Sequence, residues 1–138
     1  MTVASDVEPE ALIRALVVDD AEDLRLLITQ VLLVAGYDAV AVGSGPEALE
    51  ALRRAGPGGV DVVVLDVQMP LVDGWEVLER IRAEPSVFGR PAVLMCTVRN
   101  SAVDRERAER LGADGYLSKP FAIADLAEKV ARLTRPEP

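Results

Sequence analysis

The segment Val62-Val63-Val64-Leu65-Asp66 is a run of four apolar residues that favour β-structure, followed at once by a carboxylate. A strand with one buried face alternates apolar and polar residues, whereas a strand covered by helices on both faces is apolar throughout. The segment therefore predicts a buried strand of a parallel sheet that ends at Asp66.

Short apolar runs and longer amphipathic segments alternate on both sides of this strand. The other predicted strands are Ala15–Val18, Ala39–Val42, Ala92–Cys96 and the weaker Gly115–Leu117. The predicted helices are Leu24–Ala35, a Ser44-capped helix to Ala55, one around Trp75–Ile81, Ala102–Leu111, and Ile123–Leu133. Five strand-then-helix units predict an α/β, doubly wound (βα)5 fold with a five-stranded parallel sheet in the order 2-1-3-4-5 and helices on both faces.

The length of 138 residues fits one domain, and half of the residues are apolar. We expect a flexible leader over residues 1–12, the domain over 13–133 and a short tail over 134–138.

The composition excludes several classes of function. A net charge of −8 argues against direct binding to nucleic acid or to an anionic membrane. The sequence has no histidine, which removes Ser-His-Asp and Cys-His catalysis and means that a phosphohistidine donor must be another protein.

The single cysteine, Cys96, lies in an apolar run and is interpreted as a core residue in a reducing compartment. No apolar stretch has membrane-spanning length, so we expect a cytoplasmic protein.

Four of the five predicted strands end in a polar residue suited to phosphate or cation chemistry. These residues are Asp19-Asp20, Asp66, Thr97 and Lys119. Ligands of open α/β sheets bind outside the carboxyl ends of the strands, and in the order 2-1-3-4-5 these four strands are neighbours. The side chains are therefore expected to converge on one crevice.

Three carboxylates in one crevice need a counter-charge. Two unit charges at about 4 Å interact with about 4 kcal/mol at an effective dielectric of about 20. A ligand set made of oxygen atoms favours a hard cation, Mg²⁺ first. A carboxylate beside such an ion can attack phosphorus to form an acyl phosphate, and the ammonium of Lys119 would stabilise the transferring group.

Each of these residues also has a structural interpretation. Asp19-Asp20 could cap the next helix, and Asp66 could be a turn residue. Thr97 could satisfy backbone groups, Tyr116 could be a core residue, and Lys119 could be a solvated loop lysine. The joint order and spacing of these residues favours the functional interpretation.

The sequence resembles the receiver domains of bacterial two-component response regulators over about residues 13–133. The matching segments are Leu16-Val17-Val18-Asp19-Asp20, Leu65-Asp66-Val67-Gln68-Met69-Pro70, Asp73-Gly74-Trp75-Glu76, Thr97, and Gly112-Ala113-Asp114-Gly115-Tyr116-Leu117-Ser118-Lys119-Pro120-Phe121.

The resemblance implies a role for each matching site residue. Asp66 corresponds to the phosphoacceptor. Asp19, Asp20, Asp66 and the backbone carbonyl of Gln68 correspond to the Mg²⁺ ligands. Lys119 corresponds to the lysine that pairs with the phosphoryl oxygens and precedes a cis proline bond. Thr97 and Tyr116 correspond to the switch hydroxyl and the switch aromatic.

The resemblance also implies the partners. The donor would be a sensor histidine kinase or a histidine phosphotransfer protein. The output would be read by a downstream protein on the face made by Ala102–Leu111, the fifth strand and the last helix, with a homodimer on activation as a further option. We expect no turnover of an external substrate. Val98 stands where the family usually has Ala or another small residue, which would narrow access to the phosphoryl group, and Arg99 and Gln68 occupy positions that vary in the family. The three residues predict altered phosphoryl lifetime without fixing its direction.

Three alternatives remain open at this point. A haloacid-dehalogenase-like phosphatase also uses an Asp nucleophile with Mg²⁺, but Gln68 stands where that class has a second Asp. A flavodoxin-like redox carrier is disfavoured by the few aromatic residues. A receiver-like scaffold that is never phosphorylated is disfavoured by the complete acidic set. The chain could act alone or as one part of a longer protein.

Overall fold

The structure is a computed structural model that describes residues 12–134. Apart from Leu12 and Thr134, the predicted leader and tail lie outside these residues. Five strands alternate with helices along the chain. The elements are β1 (Arg14–Val18), α1 (Glu22–Val34), β2 (Asp38–Val42), α2 (Gly45–Ala55), β3 (Val62–Leu65), α3 (Gly74–Ala83), α4 (Pro85–Phe88), β4 (Ala92–Thr97), α5 (Ala102–Leu111), β5 (Gly115–Ser118) and α6 (Ile123–Thr134).

The strands form one parallel sheet in the order β2-β1-β3-β4-β5, as the sequence predicts. The interpretation of Val62–Leu65 as a strand buried on both faces is confirmed, because all four residues are buried. Val63 and Leu65 face one layer of helices, and Val62 and Val64 face the other. The alternation of side chains along a strand therefore divides the core into two layers.

The two layers contain different helices. Ile28 of α1 and Leu126 of α6 pack on one face of the sheet. Leu52 of α2, Leu78 of α3 and Ala108 of α5 pack on the other face. Covering both faces leaves the carboxyl ends of the strands as the open edge at which polar side chains can meet.

One helix was not predicted. The four-residue α4 begins at Pro85, a residue suited to the first turn, and ends at Phe88, whose side chain is buried. A segment this short has no helical periodicity that a sequence could display.

The side chain of Arg82 ties the far end of the sheet together. Its guanidinium donates hydrogen bonds to the carbonyl oxygens of Gly112 (3.0 Å) and Pro91 (2.9 Å), and it pairs with the carboxylate of Asp114 at 2.9 Å. These groups lie at the C-terminal end of α5 and before β4 and β5. The contacts therefore fix α5 at its C-terminal end.

The interpretation of Cys96 as a core residue is confirmed. Its side chain is buried beneath the open edge of the sheet. Burial raises the pKa of the thiol to about 12, so the reactive thiolate is disfavoured. Among residues 12–134, no helix has the length and apolar character that crossing a membrane requires.

Candidate functional site

Asp19 and Asp66 follow neighbouring strands, β1 and β3. The backbone N–H of Asp66 donates a 3.0 Å hydrogen bond to the carbonyl of Val18, which extends the strand pairing to the site. Both carboxylates are buried, and Asp20 beside them is exposed. One carboxylate oxygen from each of the three residues lies within 4.8 Å of the others. The predicted acidic cluster is therefore assembled at the open edge of the sheet.

The ammonium of Lys119 lies inside this cluster. It donates a 2.7 Å hydrogen bond to Oδ2 of Asp19 and a 3.1 Å hydrogen bond to Oδ2 of Asp66. Lys119 follows β5, its side chain is 12% exposed, and its peptide bond to Pro120 is cis. The interpretation of Lys119 as a solvated loop residue is therefore wrong.

The cluster has more negative than positive charge. Burial raises the pKa of Asp66 above its ordinary value, and the charge of Asp19 adds to this, although Lys119 acts in the opposite direction. Burial alone would lower the pKa of Lys119, but its bonds to the two carboxylates outweigh burial and raise it. The lysine therefore stays charged, and it does not balance three acids.

The capping interpretation of the acidic pair does not describe α1. The N-cap residue of α1 is Ala21, and no side chain caps it. Oδ1 of Asp19 accepts a 2.9 Å hydrogen bond from the N–H of Ala21, which orders the turn and leaves Oδ2 for Lys119. The turn interpretation of Asp66 holds alongside the cluster, because its Oδ1 accepts a 3.3 Å bond from the N–H of Gln68.

Gly74 allows α3 to begin against the backbone of Asp66. A Cβ at this position would lie 2.1 Å from the carbonyl oxygen of Asp66 and 2.8 Å from Cα of Val67. The N–H of Gly74 donates a 2.8 Å bond to the carbonyl of Val67, and Asp73 caps α3 with its side chain. The turn signal at positions 73 and 74 is therefore also a close-packing requirement.

Thr97 and Tyr116 meet at the loop after β4. Thr97 is fully buried, and its Oγ1 accepts a 3.2 Å hydrogen bond from the N–H of Arg99. The hydroxyl of half-buried Tyr116 donates to the carbonyl of the same Arg99. The guanidinium of Arg105 lies 4.9 Å from the centre of the Tyr116 ring, a distance suited to a cation–π contact. Burial raises the pKa of Tyr116.

A shallow groove opens beside the acidic cluster, and we call it the acceptor groove. It is lined by Asp20, Val67, Gln68, Met69, Pro70, Asp73, Trp75, Arg99 and Arg107. Arg107 was not assigned by the sequence analysis, and Arg99 was predicted only to influence phosphoryl lifetime. The side chain of Arg99 pairs with Asp104 of α5, and the guanidinium of Arg107 lies 4.6 Å from the Trp75 ring.

Solved structures of known proteins share this architecture. The Vibrio cholerae chemotaxis protein CheY4 superposes with a TM-score of 0.80 at 30% identity, covering 88% of this chain and 98% of that one. The receiver domain of the Francisella response regulator 1452 gives a TM-score of 0.81 at 28% identity, covering 89% and 97%. The fold is the CheY-like doubly wound α/β fold.

The family model described as the response regulator receiver domain matches residues 15–131, and the chain belongs to this family. It is therefore a module of phosphorylation-based two-component signalling. The chain therefore belongs to neither the haloacid-dehalogenase-like nor the flavodoxin-like family.

The similar curated proteins are longer. The transcriptional regulatory protein TrcR of Mycobacterium tuberculosis is 38% identical over 89% of this chain and 46% of its own length. The sensory transduction protein RegX3 of Mycolicibacterium smegmatis is 35% identical over 87% and 50%. The chain therefore spans about half the length of these relatives.

Proposed function

We propose that the protein is a phosphorylation switch in which Asp66 accepts a phosphoryl group from a phosphohistidine. A carboxylate oxygen of Asp66 forms the new P–O bond while the P–N bond of the donor breaks. The electron pair of that bond stays on the imidazole nitrogen, which takes a proton from solvent. The donor is a sensor histidine kinase or a histidine phosphotransfer protein, since this sequence has no histidine.

One observation carries the proposal. The Lys119 ammonium bonds both Asp19 and Asp66 at the carboxyl ends of neighbouring strands, with Asp20 beside them. In that position the ammonium can bind the oxygens of a phosphoryl group on Asp66 and stabilise the charge that develops during transfer.

The donor atoms of the site fit Mg²⁺. The cluster offers carboxylate oxygens from three residues within 4.8 Å of one another, and the single ammonium of Lys119 leaves them with net negative charge, which supports a bound cation. Asp19, Asp20, Asp66 and the backbone carbonyl of Gln68 would hold the ion. When bound, Mg²⁺ supplies charge neutralisation for the phosphoryl oxygens.

Thr97 and Tyr116 would transmit the change. The Thr97 hydroxyl would leave the N–H of Arg99 to bond the phosphoryl group, and Tyr116 would respond because it bonds the carbonyl of the same residue. The face made by α5, β5 and α6 would then be read by a downstream protein or by a second copy of the chain.

The test is incubation with acetyl phosphate and MgCl₂, followed by intact-mass measurement. We expect one added phosphoryl group, its loss in Asp66→Asn, and its loss when EDTA removes the metal. Asp38→Asn is the matched control, because Asp38 is exposed at the opposite end of β2. An unlabelled wild-type protein would indicate the scaffold alternative, and repeated turnover of phosphate esters would indicate a phosphatase.

A further inference from the structure

The side chain of Arg99 joins the acceptor groove to the start of α5. Its Nη2 donates to Oδ1 of Asp104 at 2.9 Å, and its Nε donates to Oδ2 at 3.3 Å. The same residue lines the acceptor groove with Asp20 and Gln68. Its side chain is 42% exposed, whereas that of Asp104 is 10% exposed. The arginine is therefore the more exposed partner of this ion pair and the one with room to reorient.

Asp104 also holds the N-terminus of α5. Its Oδ2 accepts hydrogen bonds from the hydroxyl of Ser101 (2.8 Å) and from its backbone N–H (3.4 Å), and its own N–H donates to the Ser101 hydroxyl at 3.0 Å. This is a capping box with Asp at the third helical position. Apolar packing of α5 is slight, because Ala108 is its one buried apolar residue. The start of α5 therefore depends on polar contacts to one carboxylate.

The main chain of Arg99 contacts both residues assigned to the switch. Its N–H donates to Thr97, and its carbonyl accepts from Tyr116. A displacement of Arg99 would therefore change its hydrogen bonds to Thr97 and Tyr116 and its ion pair with Asp104 in the α5 cap.

Phosphorylation of Asp66 would change which anion attracts Arg99 more strongly. A phosphoryl group carries a charge of about −1.5 to −2 and three acceptor oxygens, whereas Asp104 carries one charge. Arginine binds such oxygens with two parallel donors.

We propose that Arg99 is a positioning residue with two alternative partners, the Asp104 carboxylate in the unphosphorylated protein and the phosphoryl group on Asp66 once it forms. This inference rests on the proposed function and adds its means of regulation. Departure of Arg99 removes one of the contacts of Asp104 and weakens the N-terminal cap of α5, which couples phosphorylation to the output face.

The test is a double-mutant cycle on the affinity for beryllium fluoride in the presence of Mg²⁺. Beryllium fluoride forms a tetrahedral adduct on a carboxylate oxygen, and fluorine NMR follows it directly. Asp104→Asn frees Arg99, so we expect tighter adduct binding by roughly threefold to tenfold, the size of a coupling between contacting residues. In an Arg99→Gln background, we expect the same change at position 104 to leave the affinity unaltered.

Two further variants separate this role from a purely structural one. Ser101→Ala weakens the same cap but keeps the Arg99–Asp104 pair, so the adduct affinity should change much less than it does in Asp104→Asn. Arg99→Lys keeps the charge without the paired donors and should restore part of the affinity lost in Arg99→Gln. Amide hydrogen exchange at residues 102–105 should speed up when wild type takes the adduct, and it should not respond in Arg99→Gln.

The inference is overturned if Asp104→Asn changes the affinity equally in both backgrounds or in neither. A failure of the proposed function is a different result, because then acetyl phosphate would not label wild-type Asp66 at all.

Discussion

The Nζ atom of Lys119 lies 2.7 Å from Oδ2 of Asp19, a carboxylate 100 positions earlier in the chain. The two residues follow β1 and β5, which are separated in the sheet by β3 and β4. The lysine therefore reaches across the open edge of the sheet, and on its way it contacts Asp66. Because one ammonium bonds both carboxylates, a change in the charge of Lys119, Asp19 or Asp66 should affect the other two residues.

Replacing Lys119 by Met should destabilise the protein and increase its response to magnesium. The change leaves two buried carboxylates without their ammonium, which costs about 3 kcal/mol of unfolding free energy. Added Mg²⁺ should restore part of this loss, and urea unfolding with and without the ion measures both effects. Lys129→Met is the control, because Lys129 is the other lysine and is exposed. An equal loss in both variants would contradict the assignment of Lys119 to the cluster.

Replacing Asp20 by Asn should weaken magnesium binding with little effect on folding. Asp20 is exposed and belongs to the acidic cluster, so its carboxylate is free for an ion. We expect the Kd for Mg²⁺, measured by calorimetry, to rise by roughly tenfold or more. Asp23→Asn in the first turn of α1 serves as the control and should leave the Kd unchanged.

Replacing Gly74 by Ala should displace Asp66, the proposed phosphoacceptor. The new Cβ would meet the Asp66 carbonyl oxygen at 2.1 Å, so we expect a loss of about 1–3 kcal/mol and slower labelling by acetyl phosphate. Gly56→Ala is the control, because the added Cβ would meet no other atom within 4 Å. Its destabilisation would come only from placing Ala at a positive φ of +77°. That variant should be destabilised by about 1–2 kcal/mol and labelled at the normal rate.

Acid should loosen the start of α5 through Asp104. The hydrogen bond from the Ser101 hydroxyl, helped by Arg99, lowers the pKa of Asp104. Because the pKa of Asp104 is lower in the folded protein, its ionised carboxylate stabilises the fold at pH values above its unfolded-state pKa of about 3.9. This stabilisation is lost as the pH falls from about 3.9 through the pKa of the folded protein. Hydrogen exchange of residues 102–105 should rise in that interval in wild type, and Asp104→Asn should remove this pH dependence.

Replacing Val98 by Ala should test steric access to the phosphoryl group. Val98 is exposed, so the change should alter the free energy of unfolding by less than about 0.5 kcal/mol. We expect the autodephosphorylation rate of the labelled protein to change. An unaltered rate would show that the side chain at position 98 does not restrict the attacking water.

The sequence predicted most of the sheet because its signals are local. Val62–Leu65 is apolar at each position, and Ser44 with Glu47 marks the start of α2, where the Ser44 hydroxyl accepts from the N–H of Glu47. The helix α4 was not predicted because its four residues form about one helical turn, which is too short for a repeating apolar pattern to appear in the sequence. Its stability comes from the buried Phe88, a tertiary contact that no local pattern shows.

The cluster was predictable for a different reason. Parallel strands carry their carboxyl ends to one edge, so Asp19, Asp66 and Lys119 had to be near one another once the strand order was known. The role of Asp104 was not foreseen. The Ser101–Asp104 spacing is a capping signal that could have been read, but the ion pair with Arg99 depends on the path of the loop after β4.

The two ends of α5 are held very unequally. At the C-terminal end the half-buried guanidinium of Arg82 bonds the carbonyl of Gly112, whereas the N-terminal end is held by the carboxylate of Asp104 in its capping box. A helix held in this way is expected to pivot about its C-terminal end at Gly112. Any rearrangement of α5 should therefore be small at Gly112 and grow along the roughly 15 Å of the helix toward Ser101, so that the largest displacement is expected beside the Asp66 cluster.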